Sequence, residues 1–300
     1  TLREVLVVDS GFPDMADAAK FIKPWRYPWP VRILENSGHS YSSGVNRAMA
    51  AANSEWVFVS NSDVEVIDYA QLQYMVRLAS SVPHLAVLCP PLLYPDGSWQ
   101  RSYGDVPGLL EAAKSAFWLD ALSTVAKRTW HHYTTRHRRE ARKLRPVRYA
   151  DGAFLLLYKP IFTTLGGFDE SFSFYTEEVD YAERARRAGF RVCYLGVSPV
   201  VHTRGVTVQK NRDTDSVIRQ LYASKLHFVE KYHGSLYVEL YQRMLLAGAY
   251  TRSFLCDIAF LLTGNHSWHS RATASKRLLA LLKDSLVCPA QGETRHGRTY

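Results

Sequence analysis

Cysteine is scarce in this chain of 300 residues: Cys89, Cys193, Cys256 and Cys288 stand far apart, with no Cys-x-x-Cys spacing. That excludes a cysteine-built metal or redox motif, and it fits buried or free thiols in a reducing compartment. Long hydrophobic runs are missing too. No stretch of about 18 uncharged apolar residues occurs, and the best candidate, Met244 to Leu262, is interrupted by Arg252 and Asp257, so no spanning helix is expected. The opening Thr1-Leu2-Arg3-Glu4 leads straight into an apolar run, so no signal peptide is expected. Neither an internal repeat nor a low-complexity tract is visible.

What is present is ordinary globular composition, 47% hydrophobic and 22% charged, over a length that suits one large domain or a domain with an appendage. The net charge of +9 favours polyanionic partners: nucleotides, diphosphates, anionic lipid surfaces or nucleic acid. The basic residues peak from Lys127 to Arg148, with nine Lys or Arg, three His and one Glu. This segment reads either as a solvated helix or loop, or as a cradle for a lipid-linked diphosphate or anionic headgroups. Nucleic-acid binding lacks interleaved recognition motifs.

Val5 to Val8 is a short apolar run closed by Asp9-Ser10-Gly11, the pattern of a buried strand and its exit turn. A helix from Met15 to Ile22, a proline-bearing loop from Pro24 to Pro30 and a strand from Val31 to Leu34 follow. A Gly- and Ser-rich loop, Asn36 to Gly44, precedes a helix from Val45 to Ala52 and the strand Trp56 to Val59. This rhythm predicts an α/β fold with a parallel sheet flanked by helices. Further on come a helix from Tyr69 to Ser80, a strand from Leu85 to Cys89 and a turn at Tyr94 to Ser98. Helices are expected from Leu109 to Trp118 and from Glu178 to Ala188, closed by Gly189, with strands from Phe154 to Tyr158 and Phe190 to Leu195. Beyond Val208 the pattern changes to long amphipathic helices, which predicts a boundary between residues 1–210 and 211–300.

Two stretches have the residue types of a reaction site. Ser60-Asn61-Ser62-Asp63 ends a buried strand, where open α/β sheets bind ligands, and oxygen donors of this kind suit a hard divalent cation. Gly166-Gly167-Phe168-Asp169-Glu170 leads through an aromatic segment into Glu177-Glu178-Val179-Asp180 at a helix start, with Thr176 as its N-cap candidate. A carboxylate beside an aromatic wall has a raised pKa and can act as a general base. Further on, a strand ends in His202.

Asp9, Gly44-Val45-Asn46-Arg47, Ser60-Asn61-Ser62-Asp63, Gly152-Ala153-Phe154, Gly166 to Glu170, Glu177 to Asp180 and Val201-His202 fall in the order and spacing of the family 2 glycosyltransferases. Over about residues 3–232 the chain resembles that family, and within it the rhamnosyltransferase-like branch that builds bacterial surface polysaccharides. The resemblance implies a GT-A (Rossmann-like) mixed sheet flanked by helices, with a C-terminal helical extension. It implies an inverting enzyme that moves a sugar, rhamnose in that branch, from a nucleotide-diphosphate sugar to a polyprenyl-diphosphate-linked or other glycan. Asp9, Asn46, Arg47, Asn61 and Asp63 would contact the donor, and Asp63 with His202 a Mg²⁺ or Mn²⁺ ion. Glu178 and Glu177 would supply the base, and Asp151, Gly152, Tyr175 and Asp180 would meet the acceptor. Such an enzyme is expected in the cytoplasm, peripheral on the inner face of the membrane.

Two departures stand out. The family usually has Asp where Glu178 stands, and it begins with an earlier strand and helix, so this chain is expected to be N-terminally incomplete. A non-catalytic, glycan-binding relative would account for both departures as well. A sugar nucleotidyltransferase would need a Gly-rich, Arg/Lys-bearing loop that is not seen.

Overall fold

The structure is a computed structural model that describes residues 2–10, 29–38, 40–116, 125–129, 142–172, 175–203 and 214–287. The helix expected from Met15 to Ile22, most of the proline loop and most of the basic segment lie outside the described residues. The chain divides into two compact units, residues 1–106 with 124–210, and residues 107–123 with 211–300.

In the first unit, β1 (Val5–Asp9) pairs in parallel with β2 (Val31–Glu35), in register from Val5↔Val31 to Asp9↔Glu35. The helix α1 (Tyr41–Ala51) starts four residues earlier than expected. Ser40 is the reason: its hydroxyl accepts from Ser43 N at 3.0 Å, and Ser40 N donates to the Ser43 hydroxyl at 3.2 Å. This reciprocal cap turns what reads as a flexible Gly/Ser loop into a helical first turn. Gly44 lets that turn approach β1, since a Cβ there would come within 3.4 Å of Val8 Cγ1 and 3.2 Å of Asn36 Nδ2.

Next in the chain are β3 (Trp56–Ser60), β4 (Val64–Val66), α2 (Tyr69–Ser80), β5 (Leu85–Cys89), β6 (Leu92–Leu93), β7 (Trp99–Gln100) and β8 (Tyr103–Gly104). After α3 (Leu109–Ala116), which belongs to the second unit, come β9 (Leu144–Pro146), β10 (Tyr149–Ala150), β11 (Phe154–Tyr158), α4 (Lys159–Thr164), α5 (Glu177–Arg187), β12 (Arg191–Leu195) and β13 (Val200–His202). The main sheet runs β3-β11-β5-β12-β9, and a second sheet runs β4-β13-β6-β7.

The sheet is mixed rather than parallel. Only β5 and β12 pair in parallel within it, while β11 runs antiparallel to both β3 and β5. Pairing Phe154 with Ser60 brings the start of β11 beside the end of β3. Asn61 N then donates to Ala153 O at 2.9 Å. Asn61 and Ala153, 92 positions apart in sequence, therefore meet at one end of the sheet.

The core lies where periodicity places it. β5 is buried throughout, and Met75 and Ala79, one turn apart on α2, pack with Leu85, Leu88, Leu156, Cys193 and Leu195. Each large apolar side chain so buried contributes about 1.5–3 kcal/mol. Cys89, Cys193 and Cys256 are free and buried. Burial pushes the thiols of Cys89 and Cys193 up, which keeps them protonated and inert. Tyr94 to Ser98 forms the expected turn between β6 and β7, with Gly97 at φ 76°. Gly189, at φ 84°, closes α5 as Phe190 N reaches Ala185 O at 2.9 Å.

The second unit packs α3 with α6 (Thr214–His233), α7 (Ser235–Thr263) and α8 (His266–Val287). Its core joins Ala112, Val229, Tyr241, Leu245 and Leu282. Gly248 lets α7 touch α3, because a Cβ there would lie 2.6 Å from Ala116 Cβ. Glu111 accepts from Lys225 Nζ at 2.8 Å and Tyr241 Oη at 3.0 Å. By length and composition α7 is apolar enough to cross a membrane, with a mean hydropathy of 1.4 in its best window. The two charges that seemed to disqualify it are partnered: Arg252 Nε donates to Gly248 O, and Asp257 pairs with Lys276 at 2.9 Å.

Candidate active site

The turn after β3 carries Asp63, and β13 brings His202 to it. These strands connect through β4: His202 pairs with Val64 in the antiparallel β13–β4 ladder, and Thr203 N donates to Asp63 O at 3.0 Å. The ring nitrogen Nε2 of His202 then lies 3.3 Å from Asp63 Oδ1. On its other side Nδ1 lies 2.6 Å from Gln100 Oε1, and Gln100 Nε2 donates to His202 O at 3.2 Å. Nothing in the sequence signals Gln100, which sits in a two-residue strand and meets its partner 102 positions away.

A second group of carboxylates, Glu177, Glu178 and Asp151, gathers beside Gly152. Glu177 and Glu178 are the first two residues of α5, and Glu178 lies against Gly152, where a Cβ would be 3.7 Å from its carboxyl carbon. Tyr41, the first residue of α1, donates from its hydroxyl to Gly152 O at 2.7 Å. Tyr41 is a second member that the sequence hides, because it reads as part of a Gly/Ser loop.

The helix N-terminus favours acidic side chains, yet burial wins here. Glu177 is only 5% exposed, its Oε2 has no hydrogen-bond partner, and burial pushes its carboxyl up to about 7. Burial, then the charges of Glu177 and Asp151, hold Glu178 well above the usual carboxylate range. Burial, then Glu178, Glu177 and Asp151, likewise raise the Tyr41 hydroxyl and keep it protonated. The charge of each glutamate opposes ionisation of the other, so the two lose their protons as a pair.

The backbone leading into α5 is strained. Tyr175 and Thr176 have φ of 61° and 77°, conformations that non-glycine residues adopt at a cost of about 1–3 kcal/mol each. Thr176 occupies the N-cap position, but its side chain makes no capping hydrogen bond, which corrects the expected role. Strain at this point aims the two glutamates inward, and Tyr175 stands exposed beside them.

One expected contact turns out to be structural. Asp180, expected at the acceptor, is fully buried and takes a 2.7 Å ion pair from Arg184, which also donates to Leu165 O and Gly167 O. No solute reaches it. Asn46, expected at the donor, hydrogen-bonds through its amide to Phe168 N, Phe168 O and Glu170, clamping α1 to the Gly166-Gly167 turn, and lines the same cleft as Arg47. Gly167 makes room for this clamp, since a Cβ there would lie 2.5 Å from Asn46 Oδ1. Arg47 is exposed on a cleft with Leu34, Asn36, Ser37 and Glu170 that does not include Asp63. Asp9 ends β1, where its carbonyl accepts from Asn36 N at 2.8 Å. Asn61 uses its backbone to bond to Ala153.

The arrangement can hold a cation at one end and accept a proton at the other. Among the described residues no group of three or more His, Cys, Asp or Glu side chains is placed to hold a metal ion. The Asp63 carboxylate and the His202 imidazole are donors of a type that would suit a divalent cation.

The profile of Glycosyl transferase family 2 matches residues 1–163. The N-acetylglucosaminyl-diphospho-decaprenol L-rhamnosyltransferase of Mycobacterium tuberculosis is 29% identical over 248 residues, 77% of this chain and 75% of that protein. The O-antigen biosynthesis protein RfbC of Myxococcus xanthus is 27% identical over 66% of this chain, though over only 15% of its own length. In fold the chain is similar to a mannosyltransferase of Pyrobaculum calidifontis solved with GDP-Man and Mn²⁺, at a TM-score of 0.55 and 14% identity, covering 94% of this chain and 77% of that one. Its fold is GT-A, and the chain belongs to glycosyl transferase family 2.

Proposed function

We propose that the protein is an inverting, cation-dependent glycosyltransferase that moves a sugar from a nucleotide-diphosphate sugar to a hydroxyl of a lipid-linked glycan. L-Rhamnose is the first candidate sugar, and a polyprenyl-diphosphate-linked saccharide the first candidate acceptor, because the mycobacterial relative is named for that pair. One observation supports the reading above all: Glu178 lies against Gly152 beside the buried Glu177, while the Asp63–His202 pair follows β3, whose end at Asn61 bonds to Ala153.

Glu178 is half-buried rather than sealed, and it lies against Gly152, whose lack of a side chain leaves space for an acceptor hydroxyl. As the acceptor oxygen bonds to the anomeric carbon, its proton passes to Glu178 and the bond to the diphosphate breaks on the opposite face. A single displacement needs one base and no covalent intermediate. Glu177 raises the basicity of Glu178 through its charge. A divalent cation held by Asp63 and His202 would neutralise charge on the departing diphosphate. Asp9, Asn61 and Arg47 are proposed on the donor side, Asp151 and Tyr175 on the acceptor side.

In this reading residues 1–210 carry the transfer chemistry. The exposed apolar residues of α7 support peripheral placement on an anionic bilayer, where a lipid-linked acceptor would reside. The test is nucleoside diphosphate release over a panel of nucleotide sugars, with Mn²⁺, Mg²⁺ or a chelator, and the anomeric configuration of the product by NMR. Release of diphosphate with inverted product is expected. A retained configuration, or turnover unaffected by a chelator, would refute the mechanism.

A further inference from the structure

Gln100 and His202 are both buried, at 2% and 6% exposure, so their hydrogen bonds must be satisfied by each other. The carboxamide has one orientation that works. Its NH₂ group donates to His202 O at 3.2 Å, which leaves Oε1 facing Nδ1 at 2.6 Å. The reversed carboxamide would set oxygen against oxygen at the carbonyl. An oxygen facing Nδ1 can only accept, so Nδ1 carries the hydrogen and the neutral ring has its lone pair on Nε2. That lone pair faces Asp63 Oδ1 at 3.3 Å. With a neutral ring two acceptors face each other in a half-buried turn, a contact that a proton on Nε2 or a cation between the two groups would relieve.

We infer that Gln100 is a positioning residue: it fixes the Nδ1–H tautomer of His202 and so presents Nε2, with Asp63, to the divalent cation. The inference rests on the proposed cation reading of the Asp63–His202 pair. Histidine ligands in metal sites are commonly oriented in this way by an acceptor at the second nitrogen, and losing that acceptor costs about 10–100-fold in metal affinity. In this protein a neutral amide does the task, and its NH₂ group binds the histidine's own backbone, so rotation of the ring and of the amide are locked together.

The experiment has two arms on the full chain. ¹⁵N-histidine NMR above neutral pH reads the tautomer of His202 directly, assigned by loss of its signals in His202→Ala. A pyrrole-like Nδ1 and a pyridine-like Nε2 are expected, and a protonated Nε2 would overturn the inference. Mn²⁺ titration followed by electron paramagnetic resonance then compares wild type with Gln100→Met and Gln100→Glu. The methionine variant should bind Mn²⁺ about tenfold or more weakly, and the glutamate variant should recover most of the affinity as the neutral acid, whose O–H replaces the NH₂ donor to His202 O while its other oxygen accepts from Nδ1–H. Wild-type affinity in a folded Gln100→Met protein would overturn the assignment. Failure of the wild type to bind Mn²⁺ at all would overturn the cation reading itself, while the ring shifts would still decide the tautomer.

Discussion

A carboxylate serves as a base near neutral pH when its surroundings resist its charge, and the two glutamates at the start of α5 meet that condition by burial. Stability should register the same effect. Glu177 ionises near 4.5 when unfolded and at about 7 when folded, so the folded state holds the extra proton between those values. Its contribution is full below about pH 4.5 and is lost as the pH rises through about 7. Thermal melting should therefore fall between about pH 5 and about pH 8, by an amount on the order of 3 kcal/mol for this group. Glu177→Gln should flatten that fall and raise stability at the alkaline end. At Asp63 the expected change is in binding: Asp63→Asn should weaken Mn²⁺ about tenfold or more while leaving the melting temperature without metal nearly unchanged, as calorimetric titration would show.

Elements position these residues, and the helix α5 does so through a buried ion pair. Arg184 gathers Asp180, Leu165 O and Gly167 O, holding the Gly-Gly turn against the helix that carries Glu177 and Glu178. Arg184→Met removes the guanidinium from a fully buried carboxylate, so urea denaturation should show a loss of about 3–5 kcal/mol. Asp180→Asn should lower stability without altering the KM for acceptor, which distinguishes a structural role from an acceptor contact. Much of this level was legible in the sequence. Continuous apolar runs marked β5 and β11, Gly189 marked the end of α5, and the order of short motifs marked the family. What escaped depends on long-range pairing. The antiparallel insertion of β11 beside β3 leaves no trace in a strand–helix rhythm. Gln100 and Tyr41 gain meaning only from partners more than 100 positions away. Asp180 stands in the right motif, but burial and its ion pair with Arg184 turn it into a support.

At the scale of the molecule, the helical unit has a surface that its own packing does not use. Tyr250, Phe254, Ile258, Leu261 and Leu262 recur at helical spacing along α7 and are exposed, the last two at 81%. Basic groups sit close by: Lys283 lies over the Tyr250 ring at 5.0 Å and Arg271 over Trp268 at 4.9 Å. An apolar stripe with cations beside it matches an anionic interface, at about 1 kcal/mol per basic residue near the surface. Sedimentation with vesicles rich in anionic lipid should recover the protein, while neutral vesicles, or the Leu261→Asp/Leu262→Asp variant with anionic ones, should recover much less. Equal recovery in all three cases would contradict peripheral binding. The site itself is tested most directly by comparing Glu178→Gln with wild type in a nucleoside diphosphate release assay, with donor affinity measured in parallel. A fall in kcat of about 10²–10⁴-fold at unchanged donor affinity is the predicted result, and turnover at the wild-type rate would contradict the account.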